Sequence, residues 1–331
     1  MSIPKPNFKP PFNLTRASHV VLGVRDLGAS RAFYADALGF LISDEDSGAL
    51  YLRGLEEACH HSLVLRKSPE PTCTRVAYRV LTEDDLEIAF RHFRDAGQPT
   101  QWVDVAHQAR TFHTTDPVGT PLEICASMET RKRQILTASK FVGACPQRLD
   151  HFQIVTPRVP DAMRFYMDMG FRLSEYITQD DSEVPSLAFL QRKGNPHDVV
   201  FAHGAGPRLH HVAFTIPESY HLLFLCDRLA ECDLGDNVEF GPNRHYGPGY
   251  ARFVYLRDPD GHRVEFFTTH YQTIDAEDEP IKFTFSELFN SGWGASPPQS
   301  WLTQAMHFSG TQIVEPTGGQ SMKQHLDTTT R

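Results

Sequence analysis

The chain has 331 residues, 40% of them hydrophobic and 22% charged, with a net charge of −9. That length allows two compact domains; the acidic balance argues against a nucleic-acid partner, which needs clustered Lys and Arg, and no apolar run reaches the ~20 residues of a membrane span. The Pro-rich, polar start MSIPKPNFKPPFN has no apolar core of a secretory signal, and the six cysteines form no CxxC pair, so reduced thiols in a cytoplasmic protein are expected.

After an extension over residues 1–14, an alternating apolar pattern from Ser18 predicts a strand beginning at His19. An amphipathic helix carrying Phe33-Tyr34 follows, with Gly39 suited to its C-cap. His61 then leads into a short apolar strand, RVAYRV from Arg75 predicts another, and Asp84 to Ala96 a second helix. DPVGTPLEI from Asp116, a turn followed by a strand, ends this first unit at about residue 130. Residues 128–146, with Arg131-Lys132-Arg133, read as a solvated linker.

The same order then repeats over residues 147–272. His151 opens a strand, Phe165-Tyr166 sits on the helix, and Gly170 ends it; Phe33 and Phe165 each lie fourteen residues beyond their His. His197 leads into an apolar strand, HVAFTI from His211 matches RVAYRV, Ser219 to Glu231 predicts a helix, and DPDGHRVEF from Asp258 matches DPVGTPLEI. Residues 273–331 fall outside the repeat. They begin with an aromatic segment (Phe283, Phe285, Phe289, Trp293, Trp301), expected to serve as a lid or an interface, and beyond Phe308 they offer little to bury and read as disordered.

The repeat singles out positions where the halves differ in chemistry. His19, Arg75 and Glu123 align with His151, His211 and Glu265, so only the second half offers two imidazoles and a carboxylate, the set that leaves open positions on non-haem Fe(II). Arg75 is a permanent cation and cannot ligate. A lone His at a strand start is more often packed than ligating; the joint pattern of three is what carries weight.

LDHFQIV, LHHVAF and YLRDPDGHRVEFF resemble the metal-binding segments of the type I extradiol dioxygenases of the vicinal oxygen chelate superfamily, which include the metapyrocatechases (catechol 2,3-dioxygenases) and the homoprotocatechuate 2,3-dioxygenases. The resemblance covers about residues 15–305. It implies an α+β fold of tandem βαβββ modules forming two domains, each an incomplete β-barrel, with Fe(II), in preference to Mn(II), held by His151, His211 and Glu265, and His210 beside the site. It further implies His197 as the acid-base group and His245 and Tyr255 as catalytic companions. O2 and a catechol are the expected substrates, the product a 2-hydroxymuconic semialdehyde type, the assembly a homo-oligomer, a tetramer. Relatives acting on homoprotocatechuate hold its carboxylate with arginines; Phe240 stands at one such position, and LFNSGWGASPP contains no Arg or Lys. An uncharged catechol is therefore expected, in a pocket with Phe189, Phe240, Arg244 and Trp293, although Arg244 leaves a carboxylated catechol as the alternative. The same scaffold also carries glyoxalase-type isomerases, 2-oxo-acid dioxygenases and metal-free binding modules. Arg75 speaks against the first and the intact ligand set against the last.

Overall fold

A computed structural model describes residues 3–140, 144–245, 247–290 and 293–317. Two open sheets, one of eight strands and one of ten, hold the two repeats, and the helices of each half pack on that half's own sheet. In the first sheet the strand Leu14–Val24 lies between Leu63–Lys67 and Thr72–Val80, and Pro121–Cys125 lies beyond the latter. In the second, Arg148–Thr156 lies between Val199–His203 and Arg208–Thr215, with Arg263–Thr268 beyond. The sheets curl without closing, as expected of incomplete barrels. No described helix is long and apolar enough to cross a membrane, and none of the six cysteines forms a disulfide among the described residues.

The helices expected at Asp84–Ala96 and Ser219–Glu231 form within a residue or two of those limits, as Glu83–Asp95 and Tyr220–Glu231, and the one bearing Phe165-Tyr166 spans Val159–Asp168. Thr82 caps the first by accepting the Asp85 N–H at 3.0 Å. Gly39 and Gly170 take φ of 85° and 89°, the left-handed C-cap read from the repeat. The helix bearing Phe33-Tyr34 departs from the simple pattern: after one α turn it widens to a π-helical segment, Ala32–Ala37.

The repeated Phe-Tyr and Asp-Pro motifs explain each other across the two halves. Tyr34 of the first donates its hydroxyl to Asp258 Oδ2 of the second at 3.1 Å, and Tyr166 of the second reaches Asp116 Oδ2 of the first at 3.4 Å. Each carboxylate also accepts backbone N–H groups of its own turn, as Asp116 does from Val118 and Thr120. The aromatic pair Phe40–Phe214, T-shaped at 4.7 Å, packs between the modules.

This lock has a pH signature. Burial pushes the Asp116 carboxyl up to about 6, against the lowering effect of its hydrogen bonds from Thr120 and Val118. The unfolded chain, with an Asp pKa of about 3.9, loses its proton first, so the folded state binds more protons between these values and stability falls as pH rises from about 4 to 6. In Asp116→Asn the Oδ1 acceptor is kept and the titration removed. Urea unfolding of both proteins across that window should show the wild type losing on the order of 2–3 kcal/mol relative to the variant; a difference that stays flat refutes the assignment.

The C-terminal segment corrects one expectation. Between Phe308 and residue 317 the chain is not loose: the Ser309 N–H donates to the Cys73 carbonyl, and Val314 and Gly206 exchange backbone hydrogen bonds. These backbone pairings need few apolar side chains, which is why composition did not reveal them. Residues 318–331 lie outside the described residues.

Candidate metal and substrate site

Three adjacent strands of the second sheet converge on one point because of their register. His151 pairs with Ala213 and Ala213 with Glu265, so the three stand in one row across the sheet. His211 lies two residues before Ala213 and therefore on the same face. A register shift between Leu209 and His211 places a bulge at His210, which lets two consecutive histidines both be buried. The first sheet repeats the row as His19, Ala77 and Glu123, with Arg75 two residues before Ala77.

His151 Nε2, His211 Nε2 and Glu265 Oε2 lie 3.2 to 3.3 Å from one another, and all three residues are at most 3% exposed. Ligand atoms about 2.1 Å from an ion at near right angles stand about 3 Å apart, so this triangle matches one face of an octahedron. Outer partners orient each imidazole. Asp150 Oδ2 accepts from His151 Nδ1 at 2.9 Å, and His210 Nδ1 faces His211 Nδ1 at 2.7 Å. Burial alone would raise the Asp150 carboxyl, but the Lys193 ammonium and the bond from His151 hold it well below the usual range. Burial acts likewise on Glu265, but the imidazoles of His151, His211 and His245 around it hold it well below the usual carboxylate range.

In the first half the same row is closed on itself. Glu123 accepts from His19 Nε2, His113 Nε2 and Gln108 Nε2, each at 2.8 Å, and Arg75 supplies the positive charge beside it. Asp44, His60 and His107 also approach one another there. The His60 and His107 rings stack at 3.8 Å and 8°, however, so their in-plane lone pairs run parallel and do not converge on one ion.

A cavity of about 220 Å³ opens above the His151–His211–Glu265 triangle. His197 lines it, 4.2 Å ring to ring from His151, its Nδ1 without a hydrogen-bond partner among the described residues; burial and the neighbouring His151 and His270 rings push it well below the usual imidazole range, so it is neutral. Tyr255 pairs in register with Glu265, and its hydroxyl meets His245 Nε2 at 3.2 Å, while that same nitrogen lies 3.2 Å from Glu265 Oε1. Burial, reinforced by Glu265, keeps Tyr255 protonated. Phe189, Phe240, Arg244 and Trp293 all line the cavity, and Arg244 is the one Lys or Arg among the described lining residues.

The tail covers this cavity through Leu288, Trp293–Pro297 and Trp301. Asn243 Nδ2 donates to the Ala295 carbonyl at 2.8 Å and seats that stretch. The Phe289 side chain lies outside the described residues. Gln153, Asn243 and His270 also face the cavity and had escaped notice in the sequence. For Gln153 a signal existed, since it lies two residues beyond His151 on the same face. His270 follows the end of the Glu265 strand, where no alternation points to it.

The Glyoxalase/Bleomycin resistance protein/Dioxygenase superfamily matches residues 16–124 and 148–266. The manganese-dependent 2,3-dihydroxybiphenyl 1,2-dioxygenase of Geobacillus genomosp. 3 is 28% identical over 292 residues, 83% of this chain and 91% of its own. Metapyrocatechase of Geobacillus stearothermophilus is 26% identical over 330 residues, 94% of this chain and 99% of its own. Among solved structures, homoprotocatechuate 2,3-dioxygenase from Brevibacterium fuscum, in its anaerobic complex with 3,4-dihydroxyphenylacetate, superposes with a TM-score of 0.87 at 35% identity, covering 95% of this chain and 100% of that one.

Proposed function

Because the chain belongs to the Glyoxalase/Bleomycin resistance protein/Dioxygenase superfamily, as one of its type I extradiol dioxygenases, we propose that it cleaves catechol or an uncharged substituted catechol with O2, using Fe(II) held by His151, His211 and Glu265. The observation that carries the assignment is the 3.2 to 3.3 Å triangle of two imidazole nitrogens and one carboxylate oxygen at the cavity floor. An Fe(II) bound there supplies chelation of both catechol oxygens, an open position for O2, and the spin coupling that lets triplet O2 react with a closed-shell ring.

The chain's own groups then handle protons and orientation. His197, neutral and without a partner at Nδ1 among the described residues, takes a proton from the substrate's hydroxyl and returns it to the oxygen where the O–O bond breaks. The Tyr255 hydroxyl, kept protonated, donates a hydrogen bond to a substrate oxygen that gains negative charge, and His245 beside it steadies the same charge. Trp293–Pro297 and Trp301 exclude water, which favours a semialdehyde product over side reactions.

An apolar wall of Phe189, Phe240, Leu288 and Trp293 supports an uncharged ring. Phe240→Arg is expected to reverse the preference, raising kcat/KM for 3,4-dihydroxyphenylacetate by about 10- to 100-fold, the worth of one charge-assisted bidentate pair. Steady-state rates of both proteins with 4-methylcatechol and the carboxylated substrate decide this; a wild type that already prefers the carboxylated ring points to Arg244 as its partner. The reading itself is tested by loading the protein with Fe(II) or Mn(II) anaerobically, adding catechol in air, and following the yellow semialdehyde with O2 uptake. No O2 consumption with any vicinal diol overturns it, and activity with Mn(II) alone overturns the choice of iron.

A cytoplasmic homo-tetramer belongs to the same proposal. Tyr220, Leu223 and Phe224 on one helix face are 67%, 56% and 40% exposed, an apolar surface suited to a second copy. Light scattering after size exclusion measures the assembly.

A further inference from the structure

We propose that the C-terminal segment around Trp301 sets the tautomer of a metal ligand: through its main-chain carbonyl and His210 it keeps the His211 proton on Nδ1 and leaves Nε2 bare for the ion. The inference rests on the reading of His211 as a ligand and adds to it a role for residues 300–304, which are otherwise a cover over the cavity.

The chain of contacts is short. His210 Nε2 lies 2.8 Å from the Trp301 carbonyl oxygen, and His210 Nδ1 lies 2.7 Å from His211 Nδ1. A carbonyl only accepts, so His210 must carry a proton on Nε2; a neutral imidazole then presents Nδ1 as an acceptor. Only a proton on His211 Nδ1 satisfies that acceptor, and His211 Nε2, 3.3 Å from His151 Nε2 and 3.2 Å from Glu265 Oε2, keeps its lone pair. Moving the protons the other way sets two lone pairs against each other at the Trp301 carbonyl and puts an N–H where the ion belongs.

The carbonyl is held in place by Arg263, whose side chain is fully buried. Its guanidinium donates to the carbonyls of Ser300 at 3.1 Å, Gln304 at 2.9 Å and His210 at 3.0 Å, and pairs with Glu239. One cation thus fastens both sides of the His210–Trp301 bond. The Trp301 ring packs edge-on to His210 at 4.9 Å and excludes water from that bond.

The test follows release of Fe(II) from the full-length, anaerobically loaded protein into an excess ferrous chelator, without reference to turnover. His210→Leu, which has no acceptor, should release iron about 10- to 100-fold faster than wild type, the usual worth of a partner behind a ligand. His210→Gln, whose side-chain oxygen accepts from His211 Nδ1, should stay within a few-fold. Long-range ¹H–¹⁵N spectra of the Zn(II)-loaded wild type should show the His210 proton on Nε2. Wild-type release from His210→Leu, a His210→Gln protein as leaky as His210→Leu, or an Nδ1-protonated His210 overturns the proposal. A wild type that holds no ion while His211→Ala behaves identically overturns the ligand reading instead.

Discussion

His211→Ala is expected to lose iron and, with it, ring cleavage. Partners outside the coordination shell are already worth about 10- to 100-fold in metal affinity, so deleting a ligand should weaken Fe(II) binding by more than about a hundredfold. The two remaining donors, His151 Nε2 and Glu265 Oε2 at 3.3 Å, no longer define a face of the coordination sphere. The alanine also leaves His210 Nδ1 without its partner in a buried site. Thermal unfolding reads the loss apart from activity: ion present at about 100 times its dissociation constant stabilises the wild type by about 2.7 kcal/mol and should leave His211→Ala unmoved. A variant that binds one equivalent of Fe(II) as tightly as the wild type removes His211 from the ligand set.

The rows His151–Ala213–Glu265 and His19–Ala77–Glu123 show what a duplicated chain makes legible. Matching segments implied matching register, and the sheets keep it to the residue. The chemistry then followed from a single difference, Arg75 against His211, because a permanent cation stands where an imidazole does in the other half. Long-range features left weaker traces. The Tyr34–Asp258 and Tyr166–Asp116 pairs join motifs that were visible in the sequence, but nothing in the order of residues says that each tyrosine crosses to the other half. The choice between His210 and His211 rested on aligning LDH with LHH; a strand bulge, which no periodicity announces, is what buries both. Arg263 looked like one charged residue in DPDGHRVE, and its work lies with carbonyls some forty residues away, in a tail whose composition suggested a lid or an interface.

His197→Phe separates chemistry from metal binding. His197 has no hydrogen bond to a ligand of the triangle; it touches His151 through a ring contact at 4.2 Å and Phe189 at 5.3 Å, so a phenyl ring can take its place in an already aromatic wall. Fe(II) affinity should therefore stay within a few-fold of wild type. Turnover should fall by about 10²- to 10⁴-fold, the range that a positioned acid-base group contributes. If the lost group moves protons at the substrate oxygens, adding small imidazoles or raising buffer concentration should restore part of the rate, and solvent isotope effects on kcat should change. Single-turnover stopped flow with 4-methylcatechol distinguishes slowed chemistry from slowed product release. An iron-free His197→Phe protein would place the residue among the ligands, as its approach to Asp150 and His151 permits, whereas an iron-replete variant with wild-type turnover would pass the proton role to Tyr255 and His245, the remaining polar pair beside Glu265.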